Sequence, residues 1–460
     1  MPRVYKSSDQ EDTGLILLQD AVALAVESLS WIELEGLGER QAFSRTSKQL
    51  KIHEESCLRL AFSLVAETVR RQNLIDSVAD WAASPMELDR LSLGVRNFLR
   101  LYVYWTLFRK SSLKDALRLL SCGRRVLGLS ELHPIEPAFG KVLGLDLDRW
   151  VNEKPERSRV SLSTFHKSWF VEYCLRLLGR DEGLKLLHKS NERPPTYVRI
   201  NRLRCDPDRV LRTLRLEGVQ LARVDGLEDL WIVEKTTRPL IKLQSHLDGL
   251  FQIQDLSSQA ACVAAGPEPG DVVLDICAAP GVKTCSLAQM MDDNGELISV
   301  DISEARMQTW RKETNRLGIC SAQPLICDAR SLPLNLEADL VFLDPPCSNT
   351  GVFAKSPSLK WRIDPRDVSR LSLLQFQMLE ASSEFVKDSG SLVYSTCSLL
   401  LEENEFVIER FLKTHPDFRI VPTKLRLGSG AFRGLKEAVR FHPHRHMCNG
   451  FFVARMEKDD

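Results

Sequence analysis

At Gly270 the spacing of apolar residues along the chain changes, and from there short apolar strands alternate with helices. This alternation predicts a doubly wound, Rossmann-like α/β sheet, and we expect that domain to span residues 246–460. Such sheets bind ligands at the carboxyl ends of their strands, so the residues that follow each strand are the candidate site residues. The predicted strands are Val272–Ile276, Leu297–Val300, Pro324–Cys327, Asp339–Leu343, Ser391–Ser395 and Gly450–Arg455. The predicted helices lie around 282–291, 304–317, 368–387 and 403–413.

The chain ahead of this domain has helical periodicity. Apolar residues recur three and four positions apart from Thr13 to about Leu132, and Pro85 is the one proline there that could interrupt a helix. We therefore predict an all-α bundle over residues 1–150, of the kind that serves binding or assembly. Prolines and charges cluster from Pro134 to Arg157, and this cluster predicts a linker.

A small α+β appendage is predicted over residues 160–245. Strand patterns at Pro195–Arg202 and Leu230–Glu234 flank an amphipathic helix at Asp206–Glu217, and the arginines there (Arg199, Arg202, Arg204) are expected to be exposed. The chain as a whole carries 62 Lys/Arg and 62 Asp/Glu, but residues 154–223 hold 16 Lys/Arg against 8 Asp/Glu. Such a basic block suits phosphate binding, and a solvated helical face is the alternative.

The remaining composition describes an ordinary globular chain, with 43% hydrophobic and 27% charged residues. The polar stretch Met1–Asp12 has no signal-peptide pattern, and charges interrupt the apolar stretch Gly14–Leu29, so we expect a cytoplasmic protein with no membrane span. The 12 cysteines form no CxxC pair and are expected to be reduced. We expect no metal, because alternating side chains on one strand face cannot converge on an ion; the residues concerned are His442, His444, His446 and Cys448.

The loop after the first predicted strand carries the strongest nucleotide-binding signal. Val272–Thr284 reads as a buried strand, a run of small residues and a helix opened by Gly281. Small residues allow close backbone approach, and a helix N-terminus favours a ligand carboxylate. The spacing of the loop matches neither a Walker A motif nor GxGxxG. A loop that binds nucleotide phosphates or a dinucleotide is therefore disfavoured.

Carboxylates lie at the ends of the first three strands in series, at Asp275, Asp301 and Asp328. One strand-end Asp is more often a loop or cap residue, whereas three in series favour a cofactor site. Asp301 suits the two hydroxyls of a ribose, and Arg306 lies on the helix that Ser303 caps. Asp328 is placed to contact an adenine amino group.

Two cysteines follow strands that should face the same crevice. Asp339–Leu343 runs into Asp344-Pro-Pro-Cys347, where two prolines stiffen the turn, and Ser391–Ser395 leads to Cys397. A thiolate added to carbon 6 of cytosine makes the ring enamine-like, so that carbon 5 can take a methyl cation. Cys397 is interpreted as that thiolate. Asp344 would hold the N3/N4 edge and offset the ring's charge, and Cys347 would help to remove the carbon 5 proton.

These motifs resemble those of the Sun/Fmu-type (RsmB-like) RNA cytosine-C5 methyltransferases. The resemblance rests on DICAAPGVKT, DPPCSNTGVF and VYSTCSLLLEENE and covers roughly residues 160–460. The helical front end is similar to the NusB-like RNA-binding domain of the bacterial-type branch, with weaker motifs. Two departures stand out: Val282 where a second glycine is commoner, and Ser348-Asn349 where Ser/Thr-Gly is more usual.

The resemblance implies a Rossmann-like methyltransferase domain that uses S-adenosyl-L-methionine and acts on RNA. It implies that the residues wrapping the methionine part of the cofactor are Cys277, Ala278, Ala279, Pro280, Gly281, Val282 and Lys283. The other implied cofactor contacts are Asp301, Arg306, Asp328 and Asp344. The implied reacting group is Cys397, Cys347, Asp344 and Lys283, with Cys397 as nucleophile and Cys347 assisting product release.

Alternatives remain open at this point. Ribosomal RNA is favoured over tRNA only through the resemblance of the helical front end. A non-catalytic RNA-binding or assembly factor has no need of two cysteines in one crevice, and DNA cytosine methyltransferases commonly carry a Pro-Cys nucleophile in the earlier motif. Trp361 is expected either to stack on a flipped base or to pack in a core.

Overall fold

The structure is a computed structural model that describes residues 8–109 and 111–460, with side chains described from Gly14 onward. The polar stretch on which the signal-peptide expectation rests lies outside the described side chains. The chain divides into two compact units: a helical unit of residues 1–191 with 355–362, and a second unit of residues 192–354 with 363–460.

The helical unit confirms the all-α prediction for the front of the chain. Its helices bury amphipathic faces around fully buried Val22, Leu64, Phe98 and Tyr102. The helices of this unit are Ser8–Glu35, Glu39–Gln49, Glu55–Arg70, Gln72–Ala83, Leu93–Leu107, Leu113–Leu127, Leu129–Leu132, Glu136–Leu143, Leu147–Asn152, Glu156–Thr164, Ser168–Leu178, Arg180–Lys189 and Leu359–Arg362.

The first helix is apolar for much of its length. Its segment Gly14–Glu35 is long and apolar enough to cross a membrane by length and composition, and 44% of its most apolar window is buried in the fold. The buried side chains include Ala21, Leu24 and Ala25, each with no exposed surface. Its apolar stripe is thus used in packing within the helical unit.

The predicted linker at residues 134–157 is wrong, because this stretch is helical. Phe139 packs on the Tyr102 ring with centroids 4.8 Å apart, and Trp150 lies 6.4 Å from Trp81. Pro134 and Pro137 each lie in the first turn of a helical segment, where the missing N–H is not needed. Contacts divide the chain near residue 191 rather than near 150.

Residues 355–362 pack inside the helical unit. The Trp361 indole N–H donates to the Val69 carbonyl at 2.7 Å, and the buried Lys360 ammonium donates to the Phe165 carbonyl at 3.1 Å. Burial lowers the pKa of Lys360 well below its usual range. Of the two roles weighed for Trp361, the structure favours packing.

The second unit begins with a four-stranded antiparallel sheet in the order β2-β3-β1-β4. Helix Pro207–Leu216 lies between the first two strands, as predicted. The strands are β1 (Thr196–Ile200), β2 (Val219–Arg223), β3 (Leu230–Thr236) and β4 (Phe251–Ile253). The expected exposure of Arg199 is wrong: the side chain is 1% exposed and donates to the Gln254 side chain at 2.8 Å. Arg202 and Arg204 are exposed as expected.

A nine-stranded sheet forms the rest of the second unit, and every predicted strand is found in it with small changes of its ends. Its strands are β5 (Val272–Ile276), β6 (Glu296–Asp301), β7 (Ala322–Ile326), β8 (Ala338–Leu343), β9 (Val386–Thr396), β10 (Phe418–Val421), β11 (Ser429–Gly430), β12 (Val439–Phe441) and β13 (Phe451–Lys458). The accompanying helices are Gln244–Leu247, Leu256–Ala265, Val282–Met290, Glu304–Leu317, Pro365–Ser383, Glu405–Thr414 and Pro443–His446.

The strand order of this sheet determines where its ligand-binding crevice lies. The order runs β11-β12-β13-β9-β8-β5-β6-β7, with β5 to β9 mutually parallel and β13 antiparallel to β9. Chain connections leave β5 toward β6 on one side and return to β8 on the other. This reversal at β5 and β8 is the topological switch point where open α/β sheets bind ligands.

Candidate active site

A cavity of about 520 Å³ opens at the carboxyl ends of β5, β6, β7, β8 and β9. This volume falls within the range of small-molecule sites. Of the residues singled out in the sequence, those that line it are Cys277, Asp301, Arg306, Asp328, Asp344, Cys347 and Cys397. Asn349, Cys327, Leu374 and Met378 also line it, and the sequence analysis assigned none of them to the site.

The loop after β5 turns sharply because two of its residues have left-handed backbone conformations. Cys277 has φ +66° and Gly281 has φ +104°. A Cβ at Gly281 would lie 3.0 Å from the Trp310 ring in an already unfavourable conformation, so glycine is required there. Within the loop Ala278 and Ala279 are buried and Pro280 is exposed, and Val282 begins the helix that carries Lys283.

Asp275 does not reach the cavity, unlike the other two strand-end carboxylates. It accepts a hydrogen bond from Thr284 Oγ1 at 2.5 Å, and Thr284 in turn accepts from the Trp310 indole at 3.0 Å. Burial raises the pKa of Asp275 to about 7. Its position suits a fixed anchor between the strand and the following helix.

Asp301, at the end of β6, is held by the loop beside it. Its carboxylate accepts from the Ala279 N–H at 3.2 Å and from the Ser303 N–H at 2.9 Å. Arg306 lies 3.2 Å from Asp301 and also donates to the Ala279 carbonyl. These contacts fix the orientation of the Asp301 carboxylate beside the loop that follows β5.

Asp328, after β7, is more exposed and is paired with Arg330. The guanidinium of Arg330 donates to it at 2.6 Å. Hydrogen bonds from the Arg330 side chain and backbone lower the pKa of Asp328 to about 2, so this carboxyl group is ionised at neutral pH. It can therefore accept a hydrogen bond from a ligand amino group.

Lys283 and Asp344 form an ion pair at the switch point. Lys283 Nζ lies 2.6 Å from Asp344 Oδ2, while Ser395 Oγ donates to the other oxygen at 3.0 Å. Burial alone would lower the pKa of Lys283, but the adjacent Asp344 carboxylate raises it above its usual value. The ammonium is thus held charged beside the cavity.

The two strand-end cysteines lie side by side. Cys347 Sγ and Cys397 Sγ are 3.3 Å apart, and the Cys397 thiol also donates to Asn349 Oδ1 at 3.0 Å. The hydrogen bond with Cys397, together with burial, raises the pKa of Cys347 well above that of an ordinary thiol. Cys347 is therefore a protonated thiol in the resting site, and Cys397 is the more accessible of the two.

Glu403 joins the two cysteine turns, and sequence reasoning missed this residue. Its fully buried carboxylate accepts from the Ser348 N–H at 2.8 Å, from Ser398 Oγ at 2.5 Å and from Gln375 Nε2 at 3.0 Å. Asn404 adds a hydrogen bond to the Ser398 carbonyl at 2.9 Å. The one sequence signal for this role is a pair of acidic residues, Glu402 and Glu403, that follows the apolar run Leu399–Leu401.

The His-rich segment near the end of the chain departs from its prediction. Residues Pro443–His446 form a helical turn rather than an alternating strand. Burial lowers the pKa of His442 to about 3. Among the residues that the structure describes, no group of three or more His, Cys, Asp or Glu is arranged to hold a metal ion.

The sheet order and the ligand cavity at its switch point define a ligand-binding domain of the Rossmann-like class, and the matching family assigns that domain to the S-adenosyl-L-methionine-dependent methyltransferases. The family described as 16S rRNA methyltransferase RsmB/F matches residues 262–457, and its ferredoxin-like domain matches residues 166–238. A probable ribosomal RNA small subunit methyltransferase B from Synechocystis is 31% identical over 309 residues, which cover 66% of this chain and 69% of that protein. The chain belongs to the RsmB/F family.

Two further comparisons extend this result. The human 28S rRNA (cytosine(4447)-C(5))-methyltransferase is 32% identical over 353 residues, covering 71% of this chain and 43% of that protein. The crystal structure of PH0851 superposes with a TM-score of 0.81 and 29% identity, covering 96% of this chain and 99% of that one. The likeness to PH0851 therefore includes the helical part of the chain.

Proposed function

We propose that this chain forms 5-methylcytosine in RNA, with Cys397 as the nucleophile and S-adenosyl-L-methionine as the methyl donor. The observation that carries the proposal is the pair of thiols 3.3 Å apart in the cavity that Asp344 also lines. Methylation of an exocyclic amino group needs no sulfur nucleophile. Methylation of carbon 5 does, because that carbon becomes nucleophilic only after addition at carbon 6.

In the addition step the Cys397 sulfur bonds to carbon 6 and loses its proton. Asp344 passes this proton to N3 of the ring, which takes up the electron pair displaced from the 5,6 double bond. The Lys283 ammonium, 2.6 Å from Asp344, offsets charge as it develops. The enamine that results is nucleophilic at carbon 5.

Bound S-adenosyl-L-methionine supplies the methyl group as an electrophile, and carbon 5 takes it. The strongest cause of the raised pKa of Cys347 is the hydrogen bond with Cys397, and that thiol no longer exists once its sulfur is bonded to carbon. Cys347 then releases its own proton to solvent, and its thiolate removes the carbon 5 proton. As that proton leaves, the 5,6 double bond re-forms, the bond between sulfur and carbon 6 breaks, and the N3 proton returns through Asp344 to the Cys397 sulfur.

The residues around the cavity fit the cofactor. Asp301 keeps lone pairs for the ribose hydroxyls beyond those that accept from Ala279 and Ser303. Asp328 retains acceptor capacity for the adenine amino group beside Arg330. The loop Cys277–Lys283 would hold the methionine part, with its backbone brought close by Gly281.

The RNA is proposed to be ribosomal, and the protein cytoplasmic. The relatives named above act on small-subunit or 28S rRNA by name. We propose that the helical unit is a NusB-like RNA-binding module and that the domain built on the four-stranded sheet is a second RNA-binding domain. In that second domain, three exposed arginines recur every third position on one helix: Arg209, Arg212 and Arg215.

Bisulfite sequencing tests the proposal directly. Purified protein would be incubated with S-adenosyl-L-methionine and either deproteinised ribosomal RNA or bulk tRNA, both from cells that lack this chain. New 5-methylcytosine at one position in rRNA is the expected result. Modification confined to tRNA would replace the substrate, and methylation at another atom or none at all would overturn the activity.

A further inference from the structure

We propose that Asn349 is a positioning residue for the nucleophile, and this inference rests on the proposed function of Cys397. Its carboxamide would hold the Cys397 thiol in one orientation, with the proton on sulfur, until the substrate base arrives. The sequence marks Asn349 as a departure from the glycine that is more usual at this place.

The backbone at Asn349 shows that its side chain is retained against a conformational cost. Its φ is +57°, a left-handed conformation that glycine adopts freely and asparagine tolerates better than most residues. Glycine would relieve the backbone and complete the turn. The asparagine side chain therefore needs a reason other than the path of the chain.

Both ends of the carboxamide have partners, and together they fix its orientation. Nδ2 donates to the Cys347 carbonyl at 2.8 Å, which requires the NH₂ end to face that oxygen. Oδ1 is then directed at Cys397 Sγ, 3.0 Å away, and an amide oxygen can only accept. The Cys397 thiol must accordingly donate its proton to Asn349.

The contact with Asn349 determines which of the two thiols donates to the other. Since the Cys397 proton points to Asn349, the sulfur lone pairs of Cys397 are left to accept from the Cys347 thiol 3.3 Å away. The other charged groups facing this site are Lys283 and Asp344, and Glu403 lies behind the Cys347 turn. Asn349 thus fixes the direction of the Cys397 sulfur and of its proton.

Alkylation of Cys397 tests the contact without RNA or cofactor. Reduced protein is treated with iodoacetamide between pH 6 and pH 10, and modified peptides are quantified by mass spectrometry against the exposed Cys320 as internal reference. Asn349→Gly removes the acceptor and should lower the pH midpoint of Cys397 alkylation by about half a unit or more. Asn349→Asp places a carboxylate against the sulfur and should raise the midpoint by about one unit.

A matched control separates this effect from relief of backbone strain. Ser389 has φ +60°, is exposed and lies near the start of β9, about 25 Å along the strand from Cys397. Ser389→Gly should leave the alkylation curve unchanged. If Asn349→Gly does not fold, Asn349→Asp, which keeps the shape of the side chain, still carries the test.

Methylation supplies the second readout. Asn349→Gly should lower the single-turnover rate about tenfold or more, because a small displacement of a nucleophile is costly. Identical alkylation curves for the two Asn349 variants and wild type would overturn the proposal, as would shifted curves with an unchanged methylation rate. If the wild-type protein makes no 5-methylcytosine, while Asn349→Gly lowers and Asn349→Asp raises the alkylation midpoint, the proposed function is refuted and the contact between the thiol and the amide stands.

Discussion

The sulfur atoms of Cys347 and Cys397 lie 3.3 Å apart although 50 residues separate them in the chain. The parallel pairing of β8 and β9 carries both residues to the same end of the sheet. Glu403 then ties the residue after each cysteine to one carboxylate. The two thiols behave as one unit, so a change to either should alter the chemistry of the other.

Removing Cys347 should trap the reaction after methyl transfer. In Cys347→Ala the carbon 5 proton loses its acceptor, so the bond between Cys397 and carbon 6 persists. A denaturing gel should then show RNA covalently attached to the protein and already methylated. In Cys397→Ala neither adduct nor product is expected, while binding of S-adenosyl-L-methionine persists. Turnover by Cys397→Ala would refute its role as nucleophile, and a Cys347→Ala protein that releases product normally would refute the release role.

The thiol of Cys347 should titrate at unusually high pH. Its raised pKa means that the thiolate is disfavoured in the folded protein, so alkylation should be slow at pH 8 and still rising above pH 9. Because the contact with Cys397 is the largest cause, Cys397→Ala should move the midpoint of Cys347 alkylation downward. Cys397→Ser, which keeps a hydrogen-bonding group, should fall between the two. An unmoved midpoint in Cys397→Ala would show that burial alone protects Cys347.

Loss of Glu403 should separate the two cysteine turns. Glu403→Ala leaves the buried Ser348 N–H without its acceptor and removes one of the two acceptors of the Gln375 amide, at a cost of about 3 kcal/mol in the free energy of unfolding. We expect kcat to fall about 100-fold with little change in the KM for S-adenosyl-L-methionine. Glu403→Gln keeps an oxygen for both amide donors and should restore most of the activity.

Glu217→Ala is the matched control for Glu403. Glu217 accepts from the Ser245 N–H at 3.1 Å beside the four-stranded sheet and lines no part of the cavity. This variant should lose stability without losing kcat. If both variants lower kcat in proportion to stability alone, Glu403 has no positioning role.

Near the four-stranded sheet, we expect Arg202 and Arg204 to contact RNA and Arg199 to stabilise the fold. Arg202→Gln with Arg204→Gln should weaken RNA binding and lower the slope of log K against log salt by about 1 to 2, since each phosphate contact contributes about 0.7 to 0.9. Arg199→Gln should instead lower the melting temperature, because its buried contacts to Gln254 and Gln289 are disturbed. A salt slope unchanged in the double variant would exclude these two arginines from the RNA surface.

Much of the architecture could be predicted from local sequence patterns, because the periodicity of apolar residues follows from the geometry of a single strand or helix. The alternation after Gly270 predicted six of the nine strands of the large sheet, and strand ends such as Asp301 and Asp344 pointed to the cavity. The pattern of prolines and charges predicted a linker at residues 134–157, and this stretch is helical. A proline in the first turn of a helix obeys a different rule from one in its interior, and the sequence alone did not distinguish the two.

The order of residues along the chain specifies which types of residue are available for chemistry and which strand ends carry them. The tertiary structure then sets which of those side chains meet. It buried Arg199, turned Asp275 away from the cavity, and brought Asn349 and Glu403 to the two cysteines. Strand pairing and helix packing bring together residues far apart in the chain, and no local periodicity encodes which distant side chains will share a hydrogen bond.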